Sequence, residues 1–118
     1  MCYASGMHDP IDPFRFLPPT RFILDENRKP VPCPDVEEWK QWMEPHKRVA
    51  LDEIGEACVS TVFLGDSVTD DDEPEFFETM VFGGPLDQEQ WRYVTYAEAV
   101  AGHRLVVKDV LRINGGKI

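Results

Sequence analysis

The sequence predicts an α+β fold: an antiparallel meander of about four to five strands, packed by a long C-terminal helix and a short tryptophan-bearing helix. Three observations carry that expectation. Between Arg48 and Thr95 the apolar residues alternate in short runs separated by Gly, Pro and acidic turns, the period of half-buried strands. Asp35 with Glu38, and Thr95 with Glu98, each stand three residues apart at the head of a helical repeat, the spacing of a reciprocal cap. Strands run together and are followed by a helix, so the alternation of a parallel βαβ sheet is missing.

Met1 to Thr20 holds Pro10, Pro13, Pro18 and Pro19 with no apolar period, and reads as an extended arm that Phe14, Phe16 and Leu17 tack onto the body. Residues 21–118 read as one domain. Arg21 to Leu24 is a short β-type run closed by the polar turn Asp25 to Lys29, with Val31 resuming it, hence a small hairpin. Val36, Trp39, Trp42 and Met43 recur at helical spacing over about residues 35–44, where Pro45 is expected to stop the helix. The two tryptophans suit either core packing or stacking on a ring, with packing the ordinary outcome. Val49 and Leu51 begin a strand that bends at Gly55. Ala57 to Gly65 follows, apolar on both faces, as for a central strand covered on both sides or with a narrow polar margin. In Glu75 to Phe82, Phe76, Glu78, Met80 and Phe82 alternate with Phe77, Thr79 and Val81. Trp91 to Thr95 is the last strand. From Tyr96 to about Arg112 runs the long helix, with Ala99, Val100, His103, Val107, Val110 and Leu111 as its apolar stripe and Asn114, Gly115 and Gly116 as its exit.

The 118 residues carry 12 Lys and Arg against 22 Asp and Glu, a net charge of −10. That charge is local: residues 1–48 carry −1, residues 49–91 carry −12 without a single Lys or Arg, and residues 92–118 carry +3. An acidic chain of this kind does not bind the nucleic-acid backbone non-specifically, which needs clustered cations. No run approaches the roughly 18 apolar residues of a membrane span, and Met1 to Pro10 has no apolar signal core. Cys2, Cys33 and Cys58 are odd in number and lack CxxC spacing, so a zinc ribbon, a redox motif and a disulfide framework are all unsupported, and a reducing cytosol is the expected compartment. Removal of Met1 would expose Cys2 as an N-terminal nucleophile, yet no partner motif follows it.

Among chemistry-bearing residues, His8, His46 and His103 show no metal-ligand spacing, and His103 lies within the helical apolar stripe, where a half-buried histidine bonded to a backbone carbonyl competes with a ligand-contacting role. Asp66, Asp70, Asp71, Asp72, Glu73 and Glu75 form the densest carboxylate cluster. They lack the glycine and alternation of a calcium loop, which leaves a solvated loop, a weak cation site or paired-carboxylate catalysis, beside a protein-facing acidic surface. Gly83 and Gly84 have no phosphate-loop frame. Arg104, Lys108 and Arg112 fall on one line of the last helix, and Arg92 lies on the strand that feeds it. Their plainest role is to complement the helix dipole. The functional alternative groups Arg92, Arg104, Trp91, Tyr93, Phe82 and His103 as charge and stacking for a small anionic ligand.

The phrases STVFLG (60–65), FETMVFGGPLD (77–87) and RYVTYAEAVAGH (92–103), preceded by KRVALDEIGEACV (47–59) and the region around Pro32, Trp39 and Trp42, resemble a family of small proteins met in phages and prophages. The resemblance spans about residues 21–110. Members often carry an aromatic loop with His and Gly after the FLG phrase, whereas this chain has DSVTDDDEPE, so an activity borne by that loop would be lost or altered here. What the resemblance implies is a setting, the host cytosol, and not a reaction.

Three functions follow. The first is a binding protein without catalysis or cofactor that sequesters a nucleotide-like signal in counter-defence. The second is an acidic decoy whose residues 70–75 engage a basic host protein such as a nuclease. The third is a metal-dependent enzyme using the acidic loop. Self-association through residues 57–65 or the Trp helix is a further option.

Overall fold

Strands joined in succession by short turns pair with their chain neighbours, and that rule gives the sheet its order. In the computed structural model, which describes residues 21–68 and 74–115, the elements are β1 (Phe22–Leu24), β2 (Pro30–Pro32), α1 (Val36–His46), β3 (Arg48–Ile54), β4 (Ala57–Val68), β5 (Glu75–Phe82), β6 (Gln90–Tyr93) and α2 (Tyr96–Gly115). β1 and β2 form an antiparallel hairpin, and β3-β4-β5-β6 form a four-stranded antiparallel meander in chain order. With α2 lying across all four strands, the fold is α+β. The expected arm over residues 1–20 and the acidic run 70–73 lie outside the described residues.

Both helices start where the caps predict. The Asp35 carboxylate accepts the N–H groups of Glu37 and Glu38, and Thr95 and Glu98 cap reciprocally, the Glu98 N–H donating to Thr95 Oγ1 at 3.1 Å and the Thr95 N–H to Glu98 Oε1 at 3.3 Å. At the other end of α1 the expectation is corrected by one turn's detail. Pro45 stands inside the helix, next to its last residue, where only one ladder bond is forfeited, and the Lys47 N–H donating to Met43 O at 3.0 Å closes the turn. α1 is held on β1 and β4 by the Trp39 indole N–H, which is shared between Phe22 O and Gly65 O, each at 3.1 Å. Gly65 makes this approach feasible: at φ +82°, a Cβ there would meet the Met43 side chain at 2.7 Å.

The alternation of β5 is as predicted, and it decides where the core lies. Phe77, Thr79 and Val81 of β5 and Ala57, Val59, Thr61 and Phe63 of β4 turn toward α2 and are buried. Two apolar clusters result: Ala57, Val59, Val81, Val106 and Val110 at one end, Phe63, Phe77 and Ala99 at the other. The stripe of α2 departs from expectation, since Val106 is buried and Leu111 is 45% exposed. Gly102 is part of that register, because it lets α2 approach the Tyr93 ring: a Cβ there would fall 2.3 Å from a ring carbon. β4 also differs from a strand covered on both sides. Cys58, Ser60, Val62 and Leu64 are only half-buried, and none of the buried side chains of the described residues lies on their face of the sheet.

Candidate functional site

Two polar assemblies emerge from this scaffold. The first is buried between the two apolar clusters and draws one side chain from each strand of the meander. Thr61 of β4 and Thr79 of β5 are cross-strand partners, and their hydroxyl oxygens lie 2.5 Å apart. Thr61 Oγ1 is 2.7 Å from His103 Nδ1, His103 Nε2 is 2.8 Å from Asp52 Oδ2 on β3, and the Tyr93 hydroxyl of β6 donates to Thr79 Oγ1 at 3.1 Å. One polarity satisfies every group in the line: with Asp52 ionised and His103 Nε2–H donating to it, Nδ1 accepts from Thr61, Thr61 from Thr79 and Thr79 from Tyr93. Every polar group of the chain is thereby satisfied, which is what allows it to sit in a core.

Hydroxyl, imidazole and carboxylate in line have the composition of a nucleophile triad. Access separates the two cases. Thr61 and Thr79 have no exposed surface and His103 keeps 4%, so no substrate carbonyl or phosphorus reaches the hydroxyl, and the chain works as a buried latch between helix and sheet. Asp52, half exposed, is its solvent end. His103 differs here from a half-buried histidine on a backbone carbonyl, since both its partners are side chains.

The second assembly is open. A cleft of about 460 Å³ lies between the β1–β2 loop, the end of α1, the start of β3 and the head of α2. Its walls carry Arg28, Arg48 and His46 as cationic or proton-donating groups, Trp42 and Tyr96 as rings, and Asp25 and Glu26 as acids. Each is placed by a local device. Asp25 Oδ1 accepts the N–H groups of Asn27 and Lys29 at 2.8 and 2.9 Å, so this carboxylate is committed to the hairpin turn. The Arg28 N–H donates to Asp25 O, and Arg28 then takes φ +65°, the left-handed position that such loops normally give to Gly. For a side chain with a Cβ this costs about 1 kcal/mol. Its guanidinium carbon stands 4.8 Å from the Tyr96 ring centroid and its Nη1 donates to the Tyr96 hydroxyl at 2.6 Å.

Arg48 arrives by a different route. The register of β3 against β4 shifts between Arg48 and Ala50, and a bulge of this sort re-aims side chains. Arg48 and its neighbour Val49 consequently both line the cleft, which strict alternation forbids. Among the described residues the Arg48 guanidinium has no hydrogen-bond or ion-pair partner. On the α1 wall the Trp42 ring lies 5.0 Å from His46 and meets Phe63 edge-on at 5.7 Å, so one indole is both a core element and a wall of the cleft.

The residues singled out in the sequence are distributed otherwise. Trp91 and Tyr93 turn toward α2; Arg92 turns to the opposite face and pairs with Glu78 at 3.1 Å. Phe82 is 49% exposed on that opposite face, Arg104 is exposed on α2, and His103 is buried in the latch. They do not converge on one cavity. Asp70, Asp71, Asp72 and Glu73 lie outside the described residues, and Glu75 opens β5. Among the described residues no group of three or more His, Cys, Asp or Glu is arranged to hold a metal ion, and no helix is long and apolar enough to cross a membrane. Thr61, Thr79 and Asp52, and the cleft residues Arg28, Arg48 and Tyr96, escape a search for spaced motifs. Comparison with protein-family models, with curated proteins and with solved structures finds no match.

Proposed function

We propose that this chain is a small binding protein that holds an anionic, ring-bearing molecule of the nucleotide class in the cleft between the β1–β2 loop, α1 and α2, without transforming it. The observation that carries this reading is Arg28. Arg28 occupies the left-handed region where Gly is cheaper, and its side chain stands over Tyr96, on one wall of a cleft whose other side offers Arg48, which has no ion-pair partner among the described residues. Two guanidinium groups suit the bidentate recognition of phosphate oxygens, and the Trp42 and Tyr96 rings, which already carry His46 and Arg28 against them, line the cleft as apolar surface for a base. The volume lies within the range of small-molecule sites. Among the described residues the hydroxyls in line with His103, those of Thr61 and Thr79, are fully buried, which supports binding rather than turnover.

The resemblance of the STVFLG and FETMVFGG phrases to phage and prophage proteins supports a role in the host cytosol, where the bound molecule is a nucleotide-like defence signal that the protein withdraws. Isothermal titration with nucleoside monophosphates, cyclic nucleotides and ADP-ribose derivatives tests this. Binding is expected for at least one phosphorylated member and for none of the free nucleosides. Silence across the panel at millimolar concentration would overturn it, and capture of a basic host protein lost on neutralising residues 70–73 would favour the decoy instead.

A further inference from the structure

The face of the meander turned away from α2 holds the least-explained surface of the described residues. Its register sets Glu53 of β3 in one row with Cys58 and Phe82; two rows on, Arg92 of β6 shares a row with Glu78, and Leu51 and Met80 lie in the row between. Leu51 is 42% and Phe82 49% exposed, while Cys58, Val62 and Met80 are half-buried. Apolar side chains on three adjacent strands of a solvent-facing sheet are what an interface core requires, and scattered singly they would need no explanation.

We infer that this face is the contact surface of a homodimer in which a second copy of the chain packs sheet on sheet with its strands crossed at about 90°, one of the two arrangements open to packed sheets. Charge selects the crossing. Glu53 and Arg92 stand at diagonally opposite corners, about 14 Å apart along the strands by two rows of the register and about 14 Å apart across the three inter-strand steps. With the two spacings equal, a two-fold axis in the interface plane, along the diagonal that runs between those corners' partners, exchanges one corner with the other. Each Glu53 then meets the Arg92 of the other copy. The alternative diagonal sets Glu53 on Glu53 and Arg92 on Arg92, and parallel or perpendicular axes leave the corners unmatched. Arg92 is equipped for this, since its Nε is spent on Glu78 and its two Nη groups remain.

Four strands and three rows cover about 400 to 500 Å² per copy, about 800 to 1,000 Å² in total, the size of weak, transient contacts. The dimer is isologous, so it closes without propagating.

The test uses the whole chain. Sedimentation equilibrium over a dilution series, with alkylation of Cys58 followed site by site in mass spectra, is expected to give a monomer–dimer equilibrium in which Cys58 becomes protected as the dimer fills. Phe82→Glu, at a residue whose ring is half exposed, is expected to raise the dissociation constant at least tenfold with the circular dichroism unchanged. Glu53→Arg and Arg92→Glu each place like charges at both corners and are expected to dissociate the homodimer, whereas mixing the two variants restores a heterodimer with opposite charges at both corners. A chain that stays monomeric with Cys58 reacting freely overturns the inference. So does Cys58 protection that ignores concentration, which would mean that residues 1–20 or another part of the same chain cover the face. Homodimers that survive either charge reversal overturn the crossed arrangement.

Discussion

The latch and the cleft use the same kinds of residue and stand within one small sheet-and-helix scaffold, yet they differ in what they have left to give. In the latch each donor meets an acceptor, from the Tyr93 hydroxyl through Thr79, Thr61 and His103 to Asp52, and the two threonines and the histidine are buried away from any guest. In the cleft the guanidinium of Arg48 has no ion-pair partner among the described residues, Arg28 is strained, and there is room for a small molecule. Proximity of a histidine, a hydroxyl and a carboxylate therefore says less about function than the balance of satisfied and unsatisfied groups around a space.

The largest effects separate the two regions by stability. Gly102→Val places side-chain atoms where the Tyr93 ring now lies and is expected to cost about 3 kcal/mol or more, read as a loss of urea midpoint at unchanged m-value. Thr61→Val keeps the shape but strands the His103 Nδ1 acceptor and removes the acceptor of Thr79; a loss of about 2 to 3 kcal/mol is expected. Adding Thr79→Val to it should cost clearly less than the sum of the single changes, because the pair shares one network. If Thr61→Val melts with the parent, the latch carries no stability and the distinction drawn above collapses.

Next come changes that leave stability in place and act on binding. Arg48→Gln is expected to lower affinity for the phosphorylated ligand about tenfold or more while shifting unfolding by less than about 0.5 kcal/mol, the outcome for a surface residue outside the core. Arg28 gives a sharper comparison. Arg28→Gly and Arg28→Ala should lose binding alike, but the glycine variant should be more stable than the alanine variant by about 1 kcal/mol, because only alanine retains the strain at φ +65°. Equal stabilities would mean that the backbone there is not strained.

The smallest effect lies at Cys33, buried between β2 and α1. Burial, reinforced by the carboxylates of Glu38 and Asp35, pushes its thiol above the ordinary range. The folded state therefore holds this proton more tightly than the unfolded chain does. The resulting stabilisation is complete below the unfolded thiol's own titration and fades as pH climbs through the raised one. At neutral pH alkylation of Cys33 should be markedly slower than that of Cys58, with the difference abolished in denaturant.

Local rules carried most of the fold. The faces of β5, both N-terminal caps and the β1–β2 hairpin are legible because each depends on residues within a few positions of one another. The stripe of α2 is not, because nothing local says that Gly102 will approach Tyr93, in a register that turns Val106 inward and Leu111 outward. The latch left a trace: Thr61 and Thr79 occupy core-facing positions among Val59, Phe63, Phe77 and Val81, and two polar residues on the inward lines of neighbouring strands ask for a shared partner. For the cleft the trace is fainter. Arg28 and Tyr96 are 68 residues apart, the bulge that turns Arg48 inward has no sequence marker, and the Asp25–Lys29 turn is legible only as a turn.

The claim that the cleft binds and the latch does not is met most directly by calorimetric titration of the phosphorylated nucleotide panel into the parent chain, Arg48→Gln and Thr61→Val side by side. Expected is saturable heat with the parent, a tenfold or greater loss with Arg48→Gln, and retained affinity in the folded fraction of Thr61→Val. Absence of heat with the parent, or binding that survives Arg48→Gln and fails in folded Thr61→Val, would contradict it.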